Sequence, residues 1–404
     1  MTGSGGRRAR TVRDDRVWQA GFLVGSALGA AATVLGRRAE RAARAGGLVD
    51  WTGVERTAIG RLRRAPGSLS VDELRASEPH YREAMERIVP ALSAALETEL
   101  PGVVERSEVV DRAGWVRANT TSFAALIGRL EGELLDQVMP PGGGLAKATM
   151  ALANRWVTTR QLGILLGFMG QRVLGQYDLA MLSAEIAPGR LLFVEENVRM
   201  TARALDVPLI PFRTWIALHE TTHAFEFESH PWLRPYLAGR LERQLALFGR
   251  DARGLGRDAM RGLGRALRGE SDGGHWMEQL MGEEQRRLFR ETQAVMSLLE
   301  GFSDYVMDDV GKELVPGVER ISARFHERRT RRTPFERAML RITGMDLKME
   351  QYRKGEQFVR AIADRGGPAA LRRLWEGPET LPQPAEIDAP DRWMARVLGT
   401  GTAS

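Results

Sequence analysis

Two imidazoles four residues apart, with a carboxylate directly after the first, stand in His219-Glu220-Thr221-Thr222-His223. On a helix this spacing places both rings on one face, one turn apart, where they can hold a single metal ion. A catalytic zinc takes three protein ligands and keeps a fourth position open, so a further ligand must come from another element. Glu220, beside the first imidazole, is placed to take a proton from water as general base. These residue types together point to metal-assisted hydrolysis. The chain has no cysteine, which excludes disulfides and thiolate-bound metal and leaves imidazole and carboxylate as its strong metal ligands.

The motif needs a helix, and the local sequence supplies one. No Gly or Pro interrupts Arg213 to Ser229, and Pro211 stands where a helix starts. A second element must bring the third ligand. Glu300, in Leu298-Leu299-Glu300-Gly301-Phe302-Ser303-Asp304-Tyr305, opens an ExxxD pattern 77 residues after His223 (300 − 223). In gluzincin peptidases such a pair lies on a second helix, with the Glu on zinc and the Asp gripping the outer nitrogen of the first His. By that resemblance Asp304 serves His219 and fixes its tautomer. Glu226, Glu228 and Asp308 are rival carboxylates for the third position.

The resemblance extends well beyond the motif. Gly175-Gln176-Tyr177-Asp178-Leu179-Ala180, Leu192-Phe193-Val194-Glu195-Glu196-Asn197, the two segments above and Lys348-Met349-Glu350-Gln351-Tyr352 make the chain resemble, over roughly residues 46 to 395, the zincin-like metallopeptidases common in actinobacteria. Some of these are associated with deazaflavin-coenzyme biosynthesis. The resemblance implies a zinc site and a mainly α fold with a small β element, but no particular substrate. It also makes Tyr352 a candidate to stabilise a developing oxyanion, and His230, just past the motif helix, is a second. His80, His275 and His326 are isolated and read as structural or exposed.

Composition bounds the alternatives. With 404 residues and 43% hydrophobic content, the chain can bury a large core. Its net charge of +6 comes almost wholly from arginine, since only Lys147, Lys312, Lys348 and Lys354 are lysines. The arginines are interleaved with acids and no nucleic-acid motif accompanies them. The densest run, Arg324 to Arg332, reads as a solvated turn before Pro334. No nucleic-acid partner is expected; a peptide or amide substrate is.

Three regions are expected: an N-terminal extension over 1–45, a helical subdomain over 46–140, and a catalytic region over 141–404. Within the first, residues 18–36 carry no charge, and Gly21, Gly25 and Gly29 are spaced by four. Three readings stay open there: a helix docked on a soluble core, a membrane anchor and a cleaved signal peptide. The expected location is cytoplasmic, with membrane association through that segment as the alternative. Helical pieces are expected over Val71 to Leu100, split at Pro79 and Pro90, then over Trp115 to Gln137 and Leu145 to Leu182. Leu191 to Val194 is expected as a strand, with the role, by resemblance, of an edge along a substrate cleft. Residues 249–274, rich in Gly and Arg, read as an insertion beside the cleft. A zinc-stabilised scaffold without turnover is the alternative to an enzyme, and the intact Glu220 argues against it.

Overall fold

A computed structural model describes residues 46–138, 145–177, 189–244, 246–247, 281–330 and 345–399. The uncharged segment 18–36, the Gly/Arg-rich insertion 249–274, His275 and the Asp178 to Leu182 part of the expected helix lie outside these residues. The described chain is mainly helical with one small sheet, as expected for a zincin-like fold. In order, the elements are α1 (Trp51–Leu62), α2 (Val71–Arg75), α3 (Glu78–Leu96), β1 (Ser107–Val110), α4 (Arg112–Val138), α5 (Leu145–Gly170), β2 (Gly175–Tyr177) and β3 (Leu191–Val194). There follow α6 (Glu195–Leu205), α7 (Leu209–Glu228), α8 (Glu283–Leu314), α9 (Val318–Thr330), α10 (Met345–Arg373), α11 (Pro384–Ile387) and α12 (Pro390–Leu398). No described helix is long and apolar enough to cross a membrane.

The sheet has the order β1-β3-β2, with β1 parallel and β2 antiparallel to β3. The Leu191-Leu192-Phe193-Val194 strand is therefore central, which explains its unbroken apolar run. Alternation turns Leu191 and Phe193 into the main core around α3, α7, α8 and α10, and Leu192 and Val194 into a second core with α1, α4 and α5. The expectation that this strand is an edge is overturned by its two partners; β1 and β2 are the edge strands, and β2 is the one next to Glu220. The helix expected to run to Leu182 likewise ends at Gly170, and the chain enters β2.

Pro90 does not split α3, which runs through it. The proline faces solvent, while Met85, Ile88 and Leu92 are fully buried on the opposite face. A carbonyl deprived of its partner by Pro90 can be hydrated there, and tertiary burial holds the helix together.

The junction of β3 and α6 locks the frame around the motif helix. Glu195, fully buried, accepts from Tyr81 Oη at 2.9 Å and Arg199 Nε at 2.7 Å, and pairs with buried Arg213 of α7. Glu196 accepts the backbone N–H of Leu69 and of Arg112, and Asn197 donates to the carbonyls of Gly170 and Val173. The Glu195-Glu196-Asn197 segment thus serves as a buried polar clamp in which each group has partners, as burial demands.

Candidate metal centre

Helix α7 begins at Leu209, with Pro208 as its cap residue and Pro211 inside the first turn, where a missing N–H is harmless. It starts four residues before the predicted Arg213 and is buried on nearly every side. Thr214, Thr221 and Thr222 satisfy their hydroxyls by donating to the carbonyls of Ile210, Ala217 and Leu218, each four residues back. His219 and His223 share one face, with ring centroids 4.7 Å apart and planes at 80°.

Helix α8 crosses that face and carries Glu300. One ligand atom from each of His219, His223 and Glu300 lies within 4.8 Å of the others, and His219 Nε2 is 3.8 Å from Glu300 Oε2. The approach of α8 depends on a glycine contact with α10. A Cβ on Gly301 would stand 2.1 Å from the Gly355 carbonyl carbon, and one on Gly355 would stand 1.8 Å from the Ser297 carbonyl oxygen. Only backbones without side chains can meet so closely, and the residue next to this contact is the candidate ligand Glu300.

The rival carboxylates are otherwise engaged. Glu228 pairs with Arg106 at 2.9 Å and accepts from Tyr177 Oη, and Asp308 pairs with Arg360 at 2.6 Å. Glu226, whose side chain is 0% exposed, sets Oε2 2.7 Å from His223 Nδ1. Ser303 Oγ lies 3.3 Å from the same nitrogen. This arrangement holds the proton on Nδ1 and leaves Nε2 for the cluster with His219 and Glu300. His219 Nδ1 lies 3.2 Å from Met307 Sδ. Asp304 is half-buried one turn beyond Glu300 on α8.

Glu220 lies under the edge strand. The backbone N–H of Tyr177 donates to its Oε2 at 3.0 Å, and a Cβ on Gly175 would collide with its Cγ at 2.6 Å. Burial pushes the Glu220 carboxyl up to about 7, with the charge of Glu300 adding and that of His223 and the Tyr177 N–H opposing. Burial lowers the basicity of His223, but Glu226, Glu300 and Glu220 outweigh it and hold the imidazole well above its usual range. Such a concentration of carboxylates favours a cation.

His230 stands past the end of α7, its Nδ1 2.7 Å from the Glu226 carbonyl oxygen and its ring stacked on Trp375. Tyr352 falls on α10, and its side chain is outside those described. Sequence reasoning missed Glu226 as the partner of His223, as well as the part played by Gly175 and the Tyr177 backbone in seating Glu220. The i, i+3 spacing of His223 and Glu226 was a signal for the first.

Two imidazoles and one carboxylate are a donor set that catalytic zinc uses with a position left open, so the residues present fit that ion. A solved structure from Chloroflexus aurantiacus, described as a putative hydrolase with a novel fold, is 32% identical to this chain. The match covers 88% of this chain and 100% of that one, with a TM-score of 0.63. No curated protein matches. The zincin-like metallopeptidase model matches residues 49–394, and the chain belongs to that family.

Proposed function

We propose that the protein is a zinc-dependent hydrolase of peptide or amide bonds, with His219, His223 and Glu300 as ligands and Glu220 as general base. The observation that carries this reading is the seating of Glu220. It is buried beside the ligand cluster, fixed by the Tyr177 N–H and raised toward neutrality, as a group that gains and returns a proton near pH 7 must be. A zinc ion at the three ligands supplies Lewis acidity toward water and the substrate carbonyl.

The protein's own groups then have defined tasks. Glu220 takes the proton of the attacking water and delivers it to the departing nitrogen. Glu226 and Ser303 hold the His223 ring, and Asp304 is the proposed support for His219. An extended substrate pairs with the edge strand β2, which lies directly over Glu220. Tyr352 remains the proposed oxyanion donor; His230, whose Nδ1 proton faces the Glu226 carbonyl oxygen, would serve only when doubly protonated.

Glu220→Gln tests the reading. The variant should keep its zinc and lose turnover of a peptide library by roughly 10²–10⁴-fold. Turnover that survives the substitution would remove Glu220 from catalysis. A wild-type chain that binds zinc but cleaves no peptide or amide would favour the scaffold.

A further inference from the structure

A cavity of about 530 Å³ lies beside the metal centre, between the C-terminal ends of α3, α7 and α10 and the side of α8 turned away from Glu300. Its volume is that of a small-molecule site. Its wall is apolar and aromatic, with Phe225, Phe302, Tyr305, Leu371 and Trp375 prominent. The Trp375 ring is stacked on His230 at 5.0 Å and meets Phe302 edge-on at 5.1 Å.

The charges around the cavity are mostly negative: Glu97, Glu226, Asp309 and Glu376 against Arg372. Burial lowers the basicity of His230, which adds no positive charge at neutral pH. Glu97 is paired with Arg372, Glu376 with Arg373 and Glu226 with His223. Asp309 is exposed at the rim, one turn beyond Tyr305, and has no ion pair among the described residues.

We propose that this cavity is a second binding site, for a small organic amine whose apolar body packs between Phe302, Leu371 and Trp375 and whose ammonium is held by Asp309 and the face of Tyr305. Aromatic faces beside an unpaired carboxylate attract a cation and disfavour an anion of the same shape.

Calorimetric titration of the full chain with tryptamine, against indole-3-propionate as the same ring with the opposite charge, tests the site. Tryptamine should bind at least about tenfold more tightly than the carboxylate. Asp309→Asn, a change at an exposed position that leaves the fold intact, should weaken tryptamine about fivefold or more, and Leu371→Trp, which puts a bulky ring where the ligand's apolar body packs, should weaken it about tenfold or more. Equal affinity for the two probes, no heat up to about 5 mM tryptamine, or affinity unchanged in both variants would overturn the proposal. Tryptamine binding by a chain that takes up no zinc would sink the metal reading and leave this one standing.

Discussion

Glu226→Leu should weaken zinc binding about 10- to 100-fold while leaving His219, His223 and Glu300 in place. The carboxylate Oε2 sits 2.7 Å from His223 Nδ1 with its side chain fully buried, so no water can replace it without a rearrangement. Its loss frees the imidazole to turn and to place its proton on either nitrogen. The expected factor corresponds to about 1.4–2.8 kcal/mol. That agrees with the ~1.5–3 kcal/mol contributed by a hydrogen bond to a charged group. Glu226→Gln keeps an acceptor oxygen and loses only the charge, so its effect should be smaller, about tenfold or less. Burial already pushes the Glu226 carboxyl up against the pull of His223, so the apolar replacement should not unfold the chain. Competition for zinc with a chromogenic chelator, on variants checked for an unchanged circular dichroism spectrum, gives the affinities. A Leu variant within about twofold of wild type, or a Gln variant weaker than the Leu variant, would refute the reasoning.

Gly175→Ala drives a methyl group into Glu220 and should reduce turnover about 100-fold with zinc content unchanged; steady-state kinetics beside elemental analysis would show whether the two separate. Gly355→Ala, whose Cβ meets the Ser297 carbonyl oxygen at 1.8 Å, should cost about 3 kcal/mol or more and lower the thermal midpoint by roughly 3–4 °C or more. Because that contact adjoins Glu300, zinc affinity should fall with it. For pH, Glu220 must be ionised to act, and burial has raised it from 4.5 to about 7. Activity should therefore be lost as pH falls, with an acid midpoint between those two values once zinc adds its positive charge; a pH–rate profile with no acid limb above about pH 4 would contradict this.

The motif was legible because its two periods, the i, i+4 imidazoles and the uninterrupted apolar helix around them, are both local. Glu300 was legible only through its ExxxD pattern, since nothing in the sequence measures how α8 crosses α7. That crossing depends on Gly301 meeting Gly355, a contact between segments 54 residues apart (355 − 301) that no window reveals. The four apolar residues of β3 announced a strand but not its place in the sheet. β1, Ser107 to Val110, is half-exposed and went unnoticed, and the three residues of β2 are too short to show a period. The edge role expected of β3 came from the family resemblance, and the residues of β1 and β2 carried no signal to correct it. Pro90 misled in the other direction, because local chemistry predicts a break that the packing of Met85, Ile88 and Leu92 overrides. Glu226 was weighed as a metal ligand when its spacing from His223 fits a supporting partner equally well.

The most direct test of the central claim is zinc stoichiometry by elemental analysis, measured on the wild-type chain, His223→Ala and Glu300→Ala after identical purification and reconstitution. The geometry of α7 and α8 predicts one zinc per wild-type chain and its loss from both variants. Full zinc in Glu300→Ala would place the third ligand elsewhere, and a wild-type chain that takes up no zinc would contradict the metal centre itself.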